Sequence, residues 1–439
     1  MNNLLNLPNK ILTFSALLLV FLSPYSHSKP VNADVLAKKV APDVIKWRRH
    51  FHENPELSNR EFKTSAYIAA YLKTLGLKVQ TGVAHTGVVA ILDSGKPGPV
   101  VALRADIDGL PVIESAPLPF ASKVKGEYEG NSVGVMHACG HDTHIAMLMG
   151  AAKVLTQMKE QLRGKVKFIF QPAEEGAPVG EEGGAYLMVK EGVLKKPDVD
   201  VIFGLHISSG LDVGTVSYRS GGIMASVDPF KIVVKGKQSH GAYPWESIDP
   251  IVTASQIIMG LQTIVSRNVN LIENGAVVTV GAIHGGNRTN IIPSKVEMVG
   301  TIRTLNEPSH KLILKTIKEK AQYIAKSMGA TAEVTVPYGG NYPITYNDPK
   351  LMKKMLPTLI NTAGEEHVIE TNPVFGAEDF SFYQKEVAGL YLFVGGKDPK
   401  MPDDKAPSHH TPEFVIDEDG MKLGVRLLTH LTLDYMQQN

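Results

Sequence analysis

The chain has 439 residues, of which 43% are hydrophobic and 20% charged, and its formal net charge is +1. That length allows two or three domains around a large core, and an ordinary globular composition without a basic stripe argues against nucleic acid as a partner. A single cysteine rules out an internal disulfide.

Residues 1–28 are expected to be a signal peptide. Lys10 precedes a near-continuous apolar run over 11–22. A run of about 10–14 residues is short for a bilayer span and fits the apolar region of a secretory signal. Ser26 and Ser28 supply small residues for cleavage after Ser28. No cysteine follows the run, so no lipid anchor and no stable membrane attachment are expected. The mature protein is expected to be periplasmic or secreted, in an oxidising compartment.

In the mature chain, apolar periodicity predicts helices over 34–51 and 61–75, the second stopped by Gly76. Strands are predicted over 87–93 and 100–104, and the second runs into Arg104-Ala-Asp106-Ile-Asp108-Gly-Leu-Pro111. Polar residues at a strand end are where open α/β sheets place their chemistry, although Arg104 and Asp106 fit a structural ion pair equally well. Next comes the only cysteine, within His137-Ala-Cys139-Gly-His141-Asp-Thr-His144. In an extended segment Cys139 and His141 would share one face, with Gly140 leaving the gap between them uncrowded. A thiolate and an imidazole suit a borderline-soft divalent ion. A buried cysteine beside a turn is the plainer reading of that stretch alone.

A broad apolar helix is predicted over 142–162, capped by Asp142 or Thr143. The buried strand 165–170 ends in Gln171-Pro-Ala-Glu174-Glu175-Gly176. Adjacent carboxylates repel, and at the tip of an apolar strand they point to a cation more readily than to solvent. A short helix over 185–191 precedes a strand over 199–205 that ends on His206. The middle third then reads as strand 229–234, helix 249–265, strands 276–283 and 295–305, helix 309–328 and strand 331–336. That order, β-α-β-β-α-β, is the ferredoxin-like plan. The predicted architecture is therefore α/β with two domains. A catalytic domain with a central mixed sheet spans 29–221 and 337–439, and an inserted βαββαβ domain spans 222–336. The chain closes with helix 349–362, strand 389–394 and helix 417–436, between which lie Gly376-Ala-Glu378-Asp-Phe380 and Ser408-His-His410-Thr-Pro412.

One thiol, several imidazoles and a carboxylate pair at strand ends or adjoining loops fit two divalent ions sharing a ligand, an arrangement that activates water. One glutamate of the pair would bind metal and the other would carry the proton. No nucleophile elbow or phosphate-binding loop is present.

Arg104–Pro111, His137–His144, Phe170–Gly176 and Gly204-Leu-His206 together resemble the metal-dependent amidohydrolases. These are the hippurate hydrolases, N-acyl-amino-acid deacylases and auxin-conjugate hydrolases, grouped with aminoacylase and carboxypeptidase-G peptidases. Ser239-His240-Gly-Ala, Asn290-Ile-Ile-Pro, Gly300-Thr-Ile-Arg303, the segment around Glu378, and His410-Thr-Pro extend the match over nearly all the mature chain. The resemblance implies two divalent ions per subunit, drawn from Zn, Mn, Co and Ni, with Cys139 bridging them and His141, Glu175, His206 and His410 as the other ligands. Glu174 would be the general base and acid. Asp106 and Glu378 would stand behind the ligands. Asn290 and Arg303 would hold the substrate, Arg303 through its carboxylate. The inserted domain would act as a lid and make a homodimer, its His240 reaching the neighbouring subunit's site.

The expected activity is hydrolysis of the amide bond of an N-acyl amino acid or a related small amide. A carboxypeptidase or dipeptidase acting on a short peptide is the alternative on the same scaffold. A non-catalytic binding or metal-carrier protein is the alternative of another class, and it has no use for Glu174 beside a ligand. The segment Ala177-Pro-Val-Gly-Glu-Glu182 reads as a longer, acidic loop than the family carries. Gly109 stands where alanine is usual, and Ser208-Ser209-Gly210 lacks the usual proline.

Overall fold

The computed structural model describes residues 32–272 and 275–439. The signal peptide expected over 1–28 lies outside them. Asn32 caps the first helix, Ala33–Glu53, by accepting from the N–H groups of Asp34 and Val35. Its buried stripe of Ala37, Val40, Val44, Trp47 and Phe51 follows helical spacing and faces the core.

That core is built on an eight-stranded mixed sheet. In spatial order the strands are Lys78–Val83, Gly87–Asp93, Lys165–Gln171, Val100–Asp106, Val201–Asp212, Ala388–Lys397, Val216–Tyr218 and Val368–Glu370. The four central strands from Lys165–Gln171 to Ala388–Lys397 run parallel. They are apolar on both faces, as strands covered by helices on either side must be. In the strand Val100–Asp106, Val101, Leu103 and Ala105 face the helices Ala33–Glu53, His141–Gln157 and Gly420–Gln437, while Val100 and Ala102 face a smaller cluster on the other side. The period of two puts Arg104 and Asp106 on that second side, at the carboxyl end of the sheet.

A second, separate sheet carries its own core. Its order is Ala276–Gly285, Lys295–Thr304, Asp228–Lys235, Thr331–Thr335, antiparallel throughout. The helices Pro250–Asn268 and Glu307–Ser327 cover one face, burying Phe230, Ile232, Met298, Ile257, Leu261 and Ile317. In chain order these six elements are β-α-β-β-α-β, as the sequence predicts. The chain leaves the large sheet through Gly221–Met224 and returns through Thr345–Asn347, and these two short strands pair with each other.

Several elements differ from the sequence reading. The strand Val201–Asp212 does not stop at His206, because its ladder with the strand Ala388–Lys397 continues to the pair Lys397 and Asp212. The strand Lys78–Val83 is mostly exposed and shows no alternation. The strands Val216–Tyr218 and Val368–Glu370 are only three residues each, too short for a period to show. Gly140, not Asp142 or Thr143, occupies the cap position of the helix His141–Gln157, which has no side-chain cap bond. Asp142 is instead buried against Arg48 Nε and His52 Nδ1, both at 2.8 Å.

Candidate active site

Cys139 and His141 do meet, but not by strand alternation. Gly140 between them is left-handed, at φ 89°, and turns the chain from an irregular segment into a helix. A Cβ there would lie 2.4 Å from Ile207 Cγ2, so conformation and space both require glycine. Cys139 Sγ then lies 3.4 Å from His206 Nε2 and 3.3 Å from His410 Nε2, and Glu175 Oε1 is 3.2 Å from the same His410 nitrogen. Cys139 thus belongs to two groups of possible ligands, one with His141 and His206 and one with Glu175 and His410. His141 Nε2 stands 3.8 Å from both Glu174 Oε2 and Glu175 Oε1. His409, by contrast, accepts a bond from the Ser209 N–H at 3.3 Å, and it is His410 that faces the thiol.

The imidazoles are presented in one tautomer. His141 Nδ1 donates to the Asp108 carbonyl oxygen at 2.9 Å, and His206 Nδ1 donates to the Ile207 carbonyl at 2.6 Å. Each ring therefore turns its Nε2 toward the centre. His141 Nε2 is buried without a hydrogen-bond partner, a costly arrangement for a group that binds nothing.

Two residues at the site hold backbone angles that L side chains seldom adopt. Ala173, directly before Glu174, has φ 52°, and His410 has φ 64°. Such conformations cost on the order of 1–3 kcal/mol each and persist where their surroundings enforce them. Ala173 N–H donates to the buried carboxylate of Glu61 at 2.9 Å, and His410 N–H donates to the Ala138 carbonyl at 2.8 Å. Tyr342, from the returning connection, donates its hydroxyl to the Glu174 carbonyl at 2.6 Å.

Behind the candidate ligands lies a buried charge network. Arg104 reaches Asp106 at 2.6 Å and both Glu378 and Asp379 at 2.9 Å. Asp106 accepts from His144 Nδ1 at 2.5 Å, and His144 Nε2 accepts the Ile207 N–H at 2.9 Å. The chain of bonds from Arg104 thus fixes the backbone directly after His206. Asp106 and Glu378 both belong to this buried network.

Electrostatically the centre is short of positive charge. Burial, then Glu175 and Glu174, pushes the Cys139 thiol well above its usual range. Burial, then Glu378 and Glu175, does the same to the Glu174 carboxyl. Burial opposes a charge on His141, but Asp106 and Asp108 outweigh it and push the ring up to about 10. A centre that recruits a proton this strongly also recruits a divalent cation, and the donor set of one thiol, three imidazoles and carboxylates fits borderline ions.

Arg303 is half-buried. It lines a cavity of about 670 Å³ together with Cys139, Glu174, Glu175, His206 and His410. His240 and Asn290 are exposed and line no cavity beside the thiol; His240 lies on the short ladder of Ser239–His240 with Ile291–Ile292, and the carbonyl of Asn290, directly before Ile291, accepts the Gly241 N–H at 2.8 Å. The carboxylates of the loop 177–182 are not free. Glu181 pairs with Arg60 at 2.6 Å and Glu182 with Lys190 at 2.7 Å, so the loop presents less negative charge than its sequence suggests.

Sequence reasoning missed Asp108, His144, Glu61 and Tyr342. Asp108 and His144 stood inside the quoted motifs, and their alternation with Asp106 and their spacing from His141 were the available signals. Glu61 and Tyr342 had none.

A parallel-centred α/β sheet carrying this donor set at its carboxyl end defines a metal-dependent hydrolase. Residues 102–434 match peptidase family M20/M25/M40, and the chain belongs to that family. The expected class, a metal-dependent hydrolase of linear amide bonds, is that of the family. The chain is 42% identical to thermostable carboxypeptidase 2 of Saccharolobus solfataricus, over 90% of this chain and 95% of that one. It is 35% identical to IAA-amino acid hydrolase ILR1-like 2 of Arabidopsis thaliana, over 98% and 96%. A solved Bacillus subtilis structure, described as a dinuclear metal-binding peptidase from the M20 family, superposes with a TM-score of 0.76 at 35% identity, covering 92% of this chain and 100% of that one.

Proposed function

We propose that this protein is an exported, two-metal amidohydrolase that releases the amino acid from an N-acyl amino acid or a related small amide. The observation that carries the reading is the membership of Cys139 in two ligand groups, with Glu174 beside them. Cys139 would bridge, His141 and His206 would complete one group, and Glu175 and His410 the other. Two ions of the Zn, Mn, Co or Ni type held by these residues would supply Lewis acidity and would make a water acidic enough to attack at neutral pH.

The chain's own residues do the rest. Glu174 takes the proton from the attacking water and passes it to the leaving nitrogen. Its buried, electronegative setting favours holding that proton between the two steps. Asp108 keeps His141 in the tautomer that presents Nε2. Arg303 takes the carboxylate of the substrate as a planar, two-pronged donor. The domain over 222–336 serves as lid and dimer contact, and His240 of a second chain donates to the developing oxyanion.

The identity to a protein named carboxypeptidase supports a second reading, cleavage of a short peptide at its carboxyl end. A panel of N-acyl amino acids and blocked dipeptides, assayed with and without added metal, tests both. Metal-dependent release of amino acid from the acyl series supports the first, and activity confined to the peptides replaces it with the second.

A further inference from the structure

We propose that the amino acid released carries an apolar side chain, seated against Leu211, Met224, Val374 and Phe393. The inference rests on the amidohydrolase reading above and names the substrate class of the same site.

The cavity of about 670 Å³ is lined both by the candidate ligands and by Arg303. A substrate with its scissile carbonyl at the ligands and its carboxylate on Arg303 has only the amide nitrogen and the α-carbon between them. The substituent of that α-carbon must therefore enter the same cavity. The rest of the lining carries the neutral hydroxyls of Ser208, Ser217, Thr371 and Tyr342 and a larger apolar part: Leu211 at the end of its strand, Met224 on the outgoing connection, Val374, and Phe393, whose ring centroid lies 6.0 Å from that of His206.

Charge offers no alternative. Among the lining residues away from the ligands, the charged groups are Arg303 and Glu378, and Glu378 is already bonded to Arg104 and Tyr391. An acidic substrate side chain would find no second cation and a basic one no free carboxylate, so either would lose water there without a counter-charge. The wall is also fixed in place. Val374 N–H donates to the Ile223 carbonyl at 3.0 Å, and Met224 and Val374 form a bridge, so the strand Gly221–Met224 and the segment at Val374 move as one. The acyl group is left to the neighbouring cavity of about 940 Å³, which shares Glu175, Arg303 and Tyr342 and is walled by the loop 176–184.

The test uses the metal-loaded full chain and N-acetyl amino acids that differ only in the side chain. One methylene in an apolar pocket discriminates about 10-fold or more. The kcat/KM for leucine, methionine and phenylalanine derivatives should therefore exceed that for aspartate and lysine derivatives by at least ~10-fold. Calorimetry gives a readout that needs no turnover: free leucine should bind more tightly than free glutamate. Val374, at 41% exposure, tolerates a charge. Val374→Lys should lower kcat/KM for the leucine derivative and raise it for the glutamate derivative, with metal content unchanged, and Leu211→Lys serves if the first variant loses metal. Equal kcat/KM across side chains, or a preference that neither variant shifts, overturns the proposal. Absence of turnover together with leucine-selective binding overturns the hydrolase reading and leaves the pocket standing. Absence of both overturns the two together.

Discussion

Asp108 joins His141 to Glu175. One oxygen of its carboxylate lies 3.2 Å from His141 Nδ1, and the other accepts the Glu175 N–H at 3.0 Å and the Ser58 hydroxyl at 2.8 Å. A single buried side chain thus sets the tautomer of one candidate ligand and the backbone position of another. Partners of this kind typically contribute about 10–100-fold in metal affinity. Asp108→Asn should weaken metal binding by roughly that factor, read by chelator competition, while the fold remains. Unchanged affinity would show that His141 and Glu175 hold their places without it.

Cys139 is the ligand candidate common to both groups, so its loss should affect both ions. Cys139→Ala should lower bound metal and activity together, measured as metal per subunit by elemental analysis. Full metal content in that variant would remove the bridging role.

Glu174 is tested by a change that keeps shape and removes basicity. Glu174→Gln should retain metal and lose about 10²–10⁴-fold in kcat, the usual worth of general acid–base catalysis. A metal-loaded variant turning over at the normal rate would move the role to Glu175.

Much of the site was legible because polar residues at the ends of apolar strands stand out. The sheet supplies the frame, and Asp106, Glu174 and His206 fall near its carboxyl edge as the strand pattern requires. His206 itself lies within its strand, since the ladder runs on to Asp212. The left-handed turn at Gly140, the strained backbones of Ala173 and His410, and the pinning of Glu174 by Tyr342 depend on contacts between segments far apart in the chain, and no local pattern encodes them. The pairing of Glu181 and Glu182 with Arg60 and Lys190 is of the same kind: composition showed the charges and not their partners.

Glu61 illustrates such a long-range contact and has a pH signature. Burial, then Asp108, pushes its carboxyl up to about 8, while Thr86 and the Ala173 N–H, bonded to it, pull the other way. A carboxyl raised on folding favours the folded state below its unfolded range near 4.5 and loses that contribution as the pH rises through about 8. The metal-free protein should therefore lose thermal stability between those limits. Glu61→Gln keeps an acceptor for Ala173 and has no proton to release, so its melting temperature should fall less over the same window. Parallel curves for the two proteins would show that Glu61 does not titrate there.

His240 poses the remaining question, since in this chain it is exposed and absent from the cavity beside Cys139. Its ring accepts the Ala242 N–H at 3.0 Å through Nδ1, which leaves Nε2 free as a donor. A second chain supplying that donor accounts for both the exposure and the proposed role. Losing one oxyanion donor typically costs about 10²–10³-fold in rate. Glu174→Gln and His240→Ala chains should each be nearly inactive alone. In a two-fold symmetric dimer containing one of each, one site collects both defects and the other joins an intact Glu174 to an intact His240. Random pairing makes about half the dimers mixed, each with one working site, so refolding an equal mixture should restore roughly a quarter of the wild-type activity. A mixture shown by sizing to be dimeric and exchanged, yet no more active than its parents, would confine His240 to its own chain or place it outside catalysis.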